Sequence, residues 1–244
     1  MQRTPFSKKR MEKIWIRREN RNMKKKLLSL LMIGAMIFAL TACGGGGDKG
    51  STDDGGSGEA KSKGELIVGT SPDFPPFEFI NEETGEMTGF DLELIKAVAE
   101  DQGYTVTFTS LNFDSLTAAV KSGSIDVVAS GCTIRPEADV SYTDKYITAG
   151  LALAVRIDDN EITGEEDLKG KTAAVQSGTT GNEKANELYD AGVLTEVRSF
   201  NTVDVVMQEL INGGVDCVIN DLPVTQAYIA QQPNQIKIVG EPMN

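Results

Sequence analysis

The 244-residue chain contains no histidine. That absence excludes a Ser-His-Asp triad, a Cys-His dyad and an HExxH zinc site together. Cysteine is scarce as well, with three in all, and Cys132 and Cys217 each stand alone in apolar surroundings. A disulfide framework is therefore not expected, and each reads first as a small buried hydrophobe. Aromatic residues make up only 6% of the chain. Basic residues are few outside the first 42 positions, which hold 11 of the 24 Lys and Arg but only 2 of the 36 Asp and Glu. From Cys43 onward 13 cations face 34 acids, a net charge of −21. Such a body does not follow nucleic acid, whose phosphates demand a basic face. Its charge keeps it soluble and mildly favours cationic ligands.

What is present begins with a short export-like segment. Residues 24–47 read KKKLLSLLMIGAMIFALTACGGGG, three lysines leading into an apolar run over 27–40 that ends in Leu40-Thr41-Ala42-Cys43. The run falls short of the about 20 residues a membrane span needs, and small residues follow it. This boundary resembles the bacterial lipobox, and the resemblance implies cleavage before Cys43 and lipidation of its thiol as a membrane anchor. An uncleaved signal anchor is the alternative. The basic, non-periodic stretch before Met23 does not fit a signal, so Met23 is the expected true start. Residues 44–63, GGGGDKGSTDDGGSGEAKSK, have almost nothing to bury and are expected to be disordered. A Gly/Ser-rich tether of that length spans roughly 25 Å.

The body starts at Glu65. Residues 66–70 form a short apolar strand, and a helix follows whose face is read as Phe90, Leu94, Ala97 and Val98, ending at Gly103. Tyr104, Val106 and Phe108 alternate as a half-buried strand. A helix over 114–121 stops near Gly123, and the continuous apolar run 125–129 reads as a buried parallel strand. The pattern then recurs: strand 171–175, helix 182–191, strand 195–200 and helix 202–212 with Val203, Val206, Met207 and Leu210 inward. A buried strand 215–219, a helix 222–231 and a last strand 236–239 complete it. These series predict two doubly wound α/β lobes. The expected boundaries are 1–42 for the signal region, 43–64 for the lipidated cysteine and linker, 65–150 for the first lobe and 151–240 for the second. Residues 241–244 are read as the start of a second crossing. The segment 146–159 is read as the first crossing, with a hinge at 148–152 and a cleft at the carboxyl ends of the strands.

Four segments near strand ends carry the ligand argument: Phe74-Pro75-Pro76-Phe77-Glu78, the run GFDLELIKAVAE at 89–100, Ser130-Gly131-Cys132-Thr133-Ile134 and Gln176-Ser177-Gly178-Thr179-Thr180. In that order and spacing they resemble the polar amino acid-binding proteins of bacterial ABC importers, from Glu65 to Gly240. A free amino acid presents an ammonium, a carboxylate and a side chain, and a closed cleft must satisfy all three because unpaired buried charge is costly. Asp221 follows a buried strand and can meet the ammonium, as the aspartate at this position does in similar proteins. It can also cap the next helix, with Pro223 in the first turn. Gly131 lets backbone approach a ligand, Thr133 offers a hydroxyl and an N–H, and Ser130 precedes them, while Cys132 is expected to point into the core. The turn at 176–180 can aim N–H groups at an anion, and no lysine follows to make it a P-loop. The resemblance implies that Gln176, Thr179 and Thr180 line the second-lobe side and that Phe74 and Phe113 sandwich the ligand side chain.

The chain departs from the family at two places. Ser71 stands where some members carry an acid that reaches a distal cation, and Asp73 is the nearby substitute. The family's carboxylate-binding arginine follows a Thr-Ile-Thr-Pro-Glu-like run. Here residues 133–143 read TIRPEADVSYT, two residues short, with no arginine after Glu137. Arg135 is the only candidate nearby, and a solvated loop charge is its other reading.

The resemblance implies a lipid-anchored extracytoplasmic binding protein that acts as a monomer. It captures a polar amino acid and hands it to the membrane subunits of an ABC permease, without cofactor, metal or catalysis. Two rivals remain open. One is a cyclohexadienyl dehydratase-like enzyme on the same fold, using Glu78 or Asp73 with a raised pKa. The other is a sensor domain, which would need a membrane span and a cytoplasmic output. Relatives add a further strand and helices to the first lobe after the second crossing. The chain is therefore expected to lack the C-terminal part of that lobe and, as 65–244, to unfold less cooperatively with little amino acid affinity.

Overall fold

A computed structural model describes residues 62–243. The export-like segment, Cys43 and nearly all of the glycine-rich tether lie outside the described residues, so the readings made of them are not addressed by the structure.

The first lobe is built on a parallel sheet in the order β5-β1-β6. Strand β1 (Gly64–Thr70) lies between β5 (Tyr104–Ser110) and β6 (Val127–Val128). The apolar run 125–129 forms only that two-residue strand. Asp126 turns its carboxylate back to accept from the Ile67 N–H at 3.0 Å, so the ladder is capped from its side. A small antiparallel sheet of β2 (Asp73–Phe74), β3 (Glu78–Ile80) and β4 (Met87–Thr88) sits between β1 and helix α1 (Phe90–Asp101) in the chain. Helix α1 does not present the expected face. Leu92 and Ala99 are buried, whereas Phe90 and Val98 are each 51% exposed. The cause is Asp91, whose carboxylate is drawn inward to accept from the Gly131 N–H at 2.8 Å and the Tyr146 hydroxyl at 2.6 Å, which sets the rotation of the helix. Its entry is fixed by Gly89 (φ 130°), where a Cβ would stand 2.3 Å from the Phe77 carbonyl oxygen. Helix α2 (Phe113–Ser122) buries Leu116 beneath β1.

The second lobe is a five-stranded sheet in the order β11-β7-β10-β8-β9. Strands β8 (Thr172–Gln176), β9 (Glu196–Phe200) and β10 (Cys217–Asp221) run parallel, while β7 (Leu151–Arg156) is antiparallel to both its neighbours, β10 and β11 (Ile236–Met243). Two features differ from the sequence reading. The apolar run at 151–155 is not the middle of a crossing but a strand paired on both edges. Its side chains alternate between two apolar faces, which is why it reads as a continuous run. Strand β11 also continues past Val239, and Met243 pairs with Leu151 beyond a register shift.

Alternation along these strands feeds two cores. Ala154, Ala174 and Val218 meet Val203, Val206, Met207 and Leu210 of helix α4 (Val203–Ile211) and Val224 and Tyr228 of helix α5 (Leu222–Gln231). Leu153, Val175, Cys217 and Ile219 meet Ala185 and Leu188 of helix α3 (Thr180–Asp190) on the other face. The inward residues of α4 are those its periodicity predicts. Phe74 and Phe77 of the first lobe join the first of these cores.

Candidate functional site

Where β1 and β6 of the first lobe and β8 and β10 of the second end, the chain encloses a cavity of about 370 Å³. Eight of the residues singled out from sequence line it: Phe74, Phe113, Gly131, Thr133 and Arg135 from the first lobe, and Thr179, Thr180 and Asp221 from the second. Ser71, Asp73, Ser130 and Gln176 do not. These four are buried behind the wall and hydrogen-bond to one another. The Ser71 N–H donates to Ser130 Oγ at 2.9 Å, the Ser71 hydroxyl to Asp73 at 2.7 Å and the Gln176 amide to Asp73 at 3.0 Å. Asp73 is thus committed within the protein and cannot take the distal-cation role that the absence of an acid at Ser71 suggested.

Each wall residue has a local cause. Gly131 has φ 54°, and a Cβ there would come 2.8 Å from the Phe74 ring, so only glycine lets that ring reach the wall. Phe74 in turn packs on Phe77 at 6.1 Å. Phe113 opens α2 on the facing strand end, directly before Asp114.

Asp221 occupies the N-cap position of α5, yet its side chain makes no cap hydrogen bond. The carboxylate borders the cavity instead, and loss of water raises its pKa to about 6. Thr179 goes the other way. Its hydroxyl accepts from the Asn182 N–H at 3.1 Å and donates to the Gln176 carbonyl at 2.8 Å, so it serves as the N-cap of α3. The α3 N-terminus thereby faces the cavity through Thr179 and Thr180.

Arg135 reaches across the cleft. One guanidinium nitrogen donates to the Gly178 carbonyl at 3.1 Å and another pairs with Glu183 at 3.1 Å, while Nε has no partner among the described residues. It is neither a solvated loop charge nor free to face the cavity with its whole fork.

Several wall residues escaped the sequence reading. Cys132 is exposed and borders the cavity rather than pointing into the core, because the positive φ of Gly131 breaks the alternation on which that expectation rested. Asp114, Glu137 and Glu183 also line it. Each stands in the first turn of a helix or 3₁₀ turn, where an acid is expected for the helix dipole alone and so attracts no notice. The wall therefore carries four carboxylates against one guanidinium. Behind Gly131, burial raises Glu78 well above the usual carboxylate range, and neighbouring Asp91 raises it further against the Ser130 hydroxyl bond. Burial raises Asp91 and Asp73 as well.

Two α/β lobes with a ligand-sized cavity where their strands end define a cleft-type solute-binding architecture. The profile of the bacterial extracellular solute-binding proteins, family 3, matches residues 66–192. The arginine-binding extracellular protein ArtP of Bacillus subtilis (strain 168) is 39% identical over 207 residues, covering 84% of this chain and 76% of the relative. The L-cystine-binding protein TcyA of the same organism is 35% identical over 232 residues, covering 91% and 84%. Among solved structures, an ancestral arginine-binding protein bound to arginine is 42% identical with a TM-score of 0.68, covering 74% of this chain and 83% of that one. The chain belongs to the family 3 bacterial extracellular solute-binding proteins, an extracytoplasmic family whose relatives named above are binding proteins.

Proposed function

We propose that this protein captures a polar amino acid, with a cationic side chain preferred, and presents it to an ABC-type permease from a lipid anchor at Cys43. The observation that carries the reading is Asp221, a carboxylate at the cavity wall that leaves its own helix uncapped. It meets the ligand ammonium. The N-terminus of α3, with Arg135 beside it, takes the ligand carboxylate. Phe74 and Phe113 hold the side chain between them, and Asp114, Glu137 and Glu183 make the surrounding field negative, which favours a guanidinium or ammonium at its end. The names of the arginine-binding relatives support the same preference. Ligand contacts to both lobes favour the closed arrangement, and release follows when the permease separates the lobes. No bond is broken. Glu78 and Asp73, the carboxyls that a dehydratase-like reading relies on, stand behind the wall.

The test is calorimetry of the full chain against L-arginine, L-lysine, L-glutamine, L-cystine and L-glutamate. The first two are expected to bind tightest and L-glutamate not at all. Preference for L-glutamate would overturn the cationic reading, and no binding by any of them in a chain that unfolds as one cooperative unit would overturn the function. Anchoring is tested separately: Cys43→Ser is expected to abolish radiolabelled palmitate incorporation, and wild-type labelling of the variant would remove the anchor.

A further inference from the structure

Helix α4 of the second lobe begins at Val203 with Thr202 at the N-cap, but Thr202 makes no side-chain cap bond. The first N–H groups of any helix lack intrahelical partners, and a buried N-terminus without a cap is unfavourable. The missing acceptor comes from 130 residues earlier in the chain. Asp73 Oδ2, in the first lobe, accepts from the Val203 N–H at 2.5 Å and from Gln176 Nε2 at 3.0 Å, while the Tyr228 hydroxyl, whose proton goes to the Asp204 carboxylate, lies 3.3 Å from the Asp73 carbonyl oxygen. All three groups belong to the second lobe. Asp73, Gln176 and Val203 are buried.

From this we infer that Asp73 is a closure latch, a first-lobe carboxylate that caps a second-lobe helix only when the lobes are together. Separating the lobes strips Val203 of its acceptor and exchanges a charge-assisted bond at a helix N-terminus for water, so the latch biases the molecule toward closure independently of any ligand. It also aligns the cavity. Asp73 is joined directly to Phe74 on one wall, and Gln176 lies two residues before Gly178 on the other, so one set of bonds holds both walls in register. The inference rests on the two-lobed binding function proposed above and adds a positioning residue to it. Ligand energy then need not supply the whole of closure, since a state already partly populated is selected with less loss of affinity.

The test reads the latch with and without ligand. Val203 is the first helical residue, so its N–H has no protection from its own helix and exchanges slowly only while Asp73 covers it. Hydrogen exchange followed by NMR on the full chain is expected to show a protected Val203 amide in the wild type. Asp73→Ala should expose it by at least roughly 10-fold, and Asp73→Asn by less, with the Leu210 amide, near the other end of the helix, unchanged as the control for folding. Val203→Pro removes the donor and keeps an apolar side chain at this buried position, because proline is tolerated at a first helical position and the extended Thr202 (φ −129°, ψ 148°) suits the residue before it. Stopped-flow release of L-arginine is expected to quicken on the order of 10-fold in Asp73→Ala, by less in Val203→Pro, where the Gln176 bond remains, and no further in the double variant, because Asp73→Ala already removes the bond that Val203→Pro removes. A Val203 amide that exchanges equally fast in wild type and Asp73→Ala overturns the latch, as does a double variant whose release rate multiplies the two single effects. If L-arginine does not bind the wild type, the cationic reading fails while the exchange experiment still decides the latch.

Discussion

In the second lobe both faces of a five-stranded sheet are covered, by α4 and α5 on one side and α3 on the other, and Val206, Leu210, Val175 and Ile219 are sealed from water. The first lobe has a three-stranded sheet, and its buried apolar side chains are chiefly Val68, Leu92, Ala99, Leu116 and Ile125. Its most buried aromatic residues, Phe74 and Phe77, pack into the second lobe's core, while Ile67, Ile80, Phe90 and Val98 remain at its surface. Buried apolar surface is thus concentrated in one lobe, and the first lobe's two buried rings depend on the contact between the lobes. The cavity lies along that contact. Its geometry therefore reports on lobe association as well as on individual side chains.

The largest expected effect tests that imbalance. Leu210→Ala, at a fully buried site between α4 and the sheet, should destabilise by about 2–5 kcal/mol, and Leu116→Ala in the first lobe should fall at or below the lower end of that range. Urea unfolding decides, and equal losses would mean that the first lobe is packed as tightly as the second.

Next comes Asp221. Its truncation to alanine removes a charged hydrogen bond worth about 1.5–3 kcal/mol, so L-arginine affinity should fall roughly 10- to 150-fold. The direction of its pKa adds a pH signature. A carboxyl raised to about 6 from an ordinary 3.8 is favoured in its neutral form by the fold, so its ionisation opposes stability as pH rises through 6. Its value to a cationic ligand has the opposite trend, full above pH 6 and lost as pH falls below it. Titration by calorimetry should show this decline in the wild type and a weaker one in Asp221→Asn, where Glu78, Asp91 and Asp73, all raised by burial, are among the carboxyls that remain. An unchanged decline in Asp221→Asn would place the titrating group elsewhere.

Gly131→Ala comes third. A left-handed alanine costs about 1–2 kcal/mol, and its Cβ must displace Phe74, so stability and ligand binding should fall together. Loss of stability without loss of affinity would mean that Phe74 is packing and not platform.

The smallest effect is expected at the cleft edge. The Arg135–Glu183 pair is partly solvated, so Glu183→Ala should change stability by no more than about 1 kcal/mol. Arg135→Ala serves as its counterpart. If Arg135 also holds the ligand carboxylate, its loss weakens L-arginine binding well beyond that of Glu183→Ala. Matched losses in calorimetry would confine it to bridging the lobes.

Much of this architecture follows from local pattern. Val203, Val206, Met207 and Leu210 recur at helical spacing and are all inward, and Tyr104, Val106 and Phe108 alternate as a half-buried strand should. Strand ends could be located the same way, and with them Gly131, Thr133 and Asp221, because ligands meet α/β lobes where strands stop, whereas Thr180 follows from the family resemblance. Other features depend on partners distant in sequence, and periodicity carries no record of them. The rotation of α1 follows from Asp91 reaching Gly131 and Tyr146, against an apolar stripe that points elsewhere. A run such as 151–155 reads alike as connector or as central strand until its two neighbours are known. Asp73 shows the division most sharply: as a sequence residue it is an acid beside a ligand motif, and only the meeting of two lobes makes it the cap of a helix that begins 130 residues later. Hydrophobic spacing acts within a few residues and so was determined by the chain itself. Pairing of buried polar groups depends on which surfaces come together, and tertiary structure alone decided it.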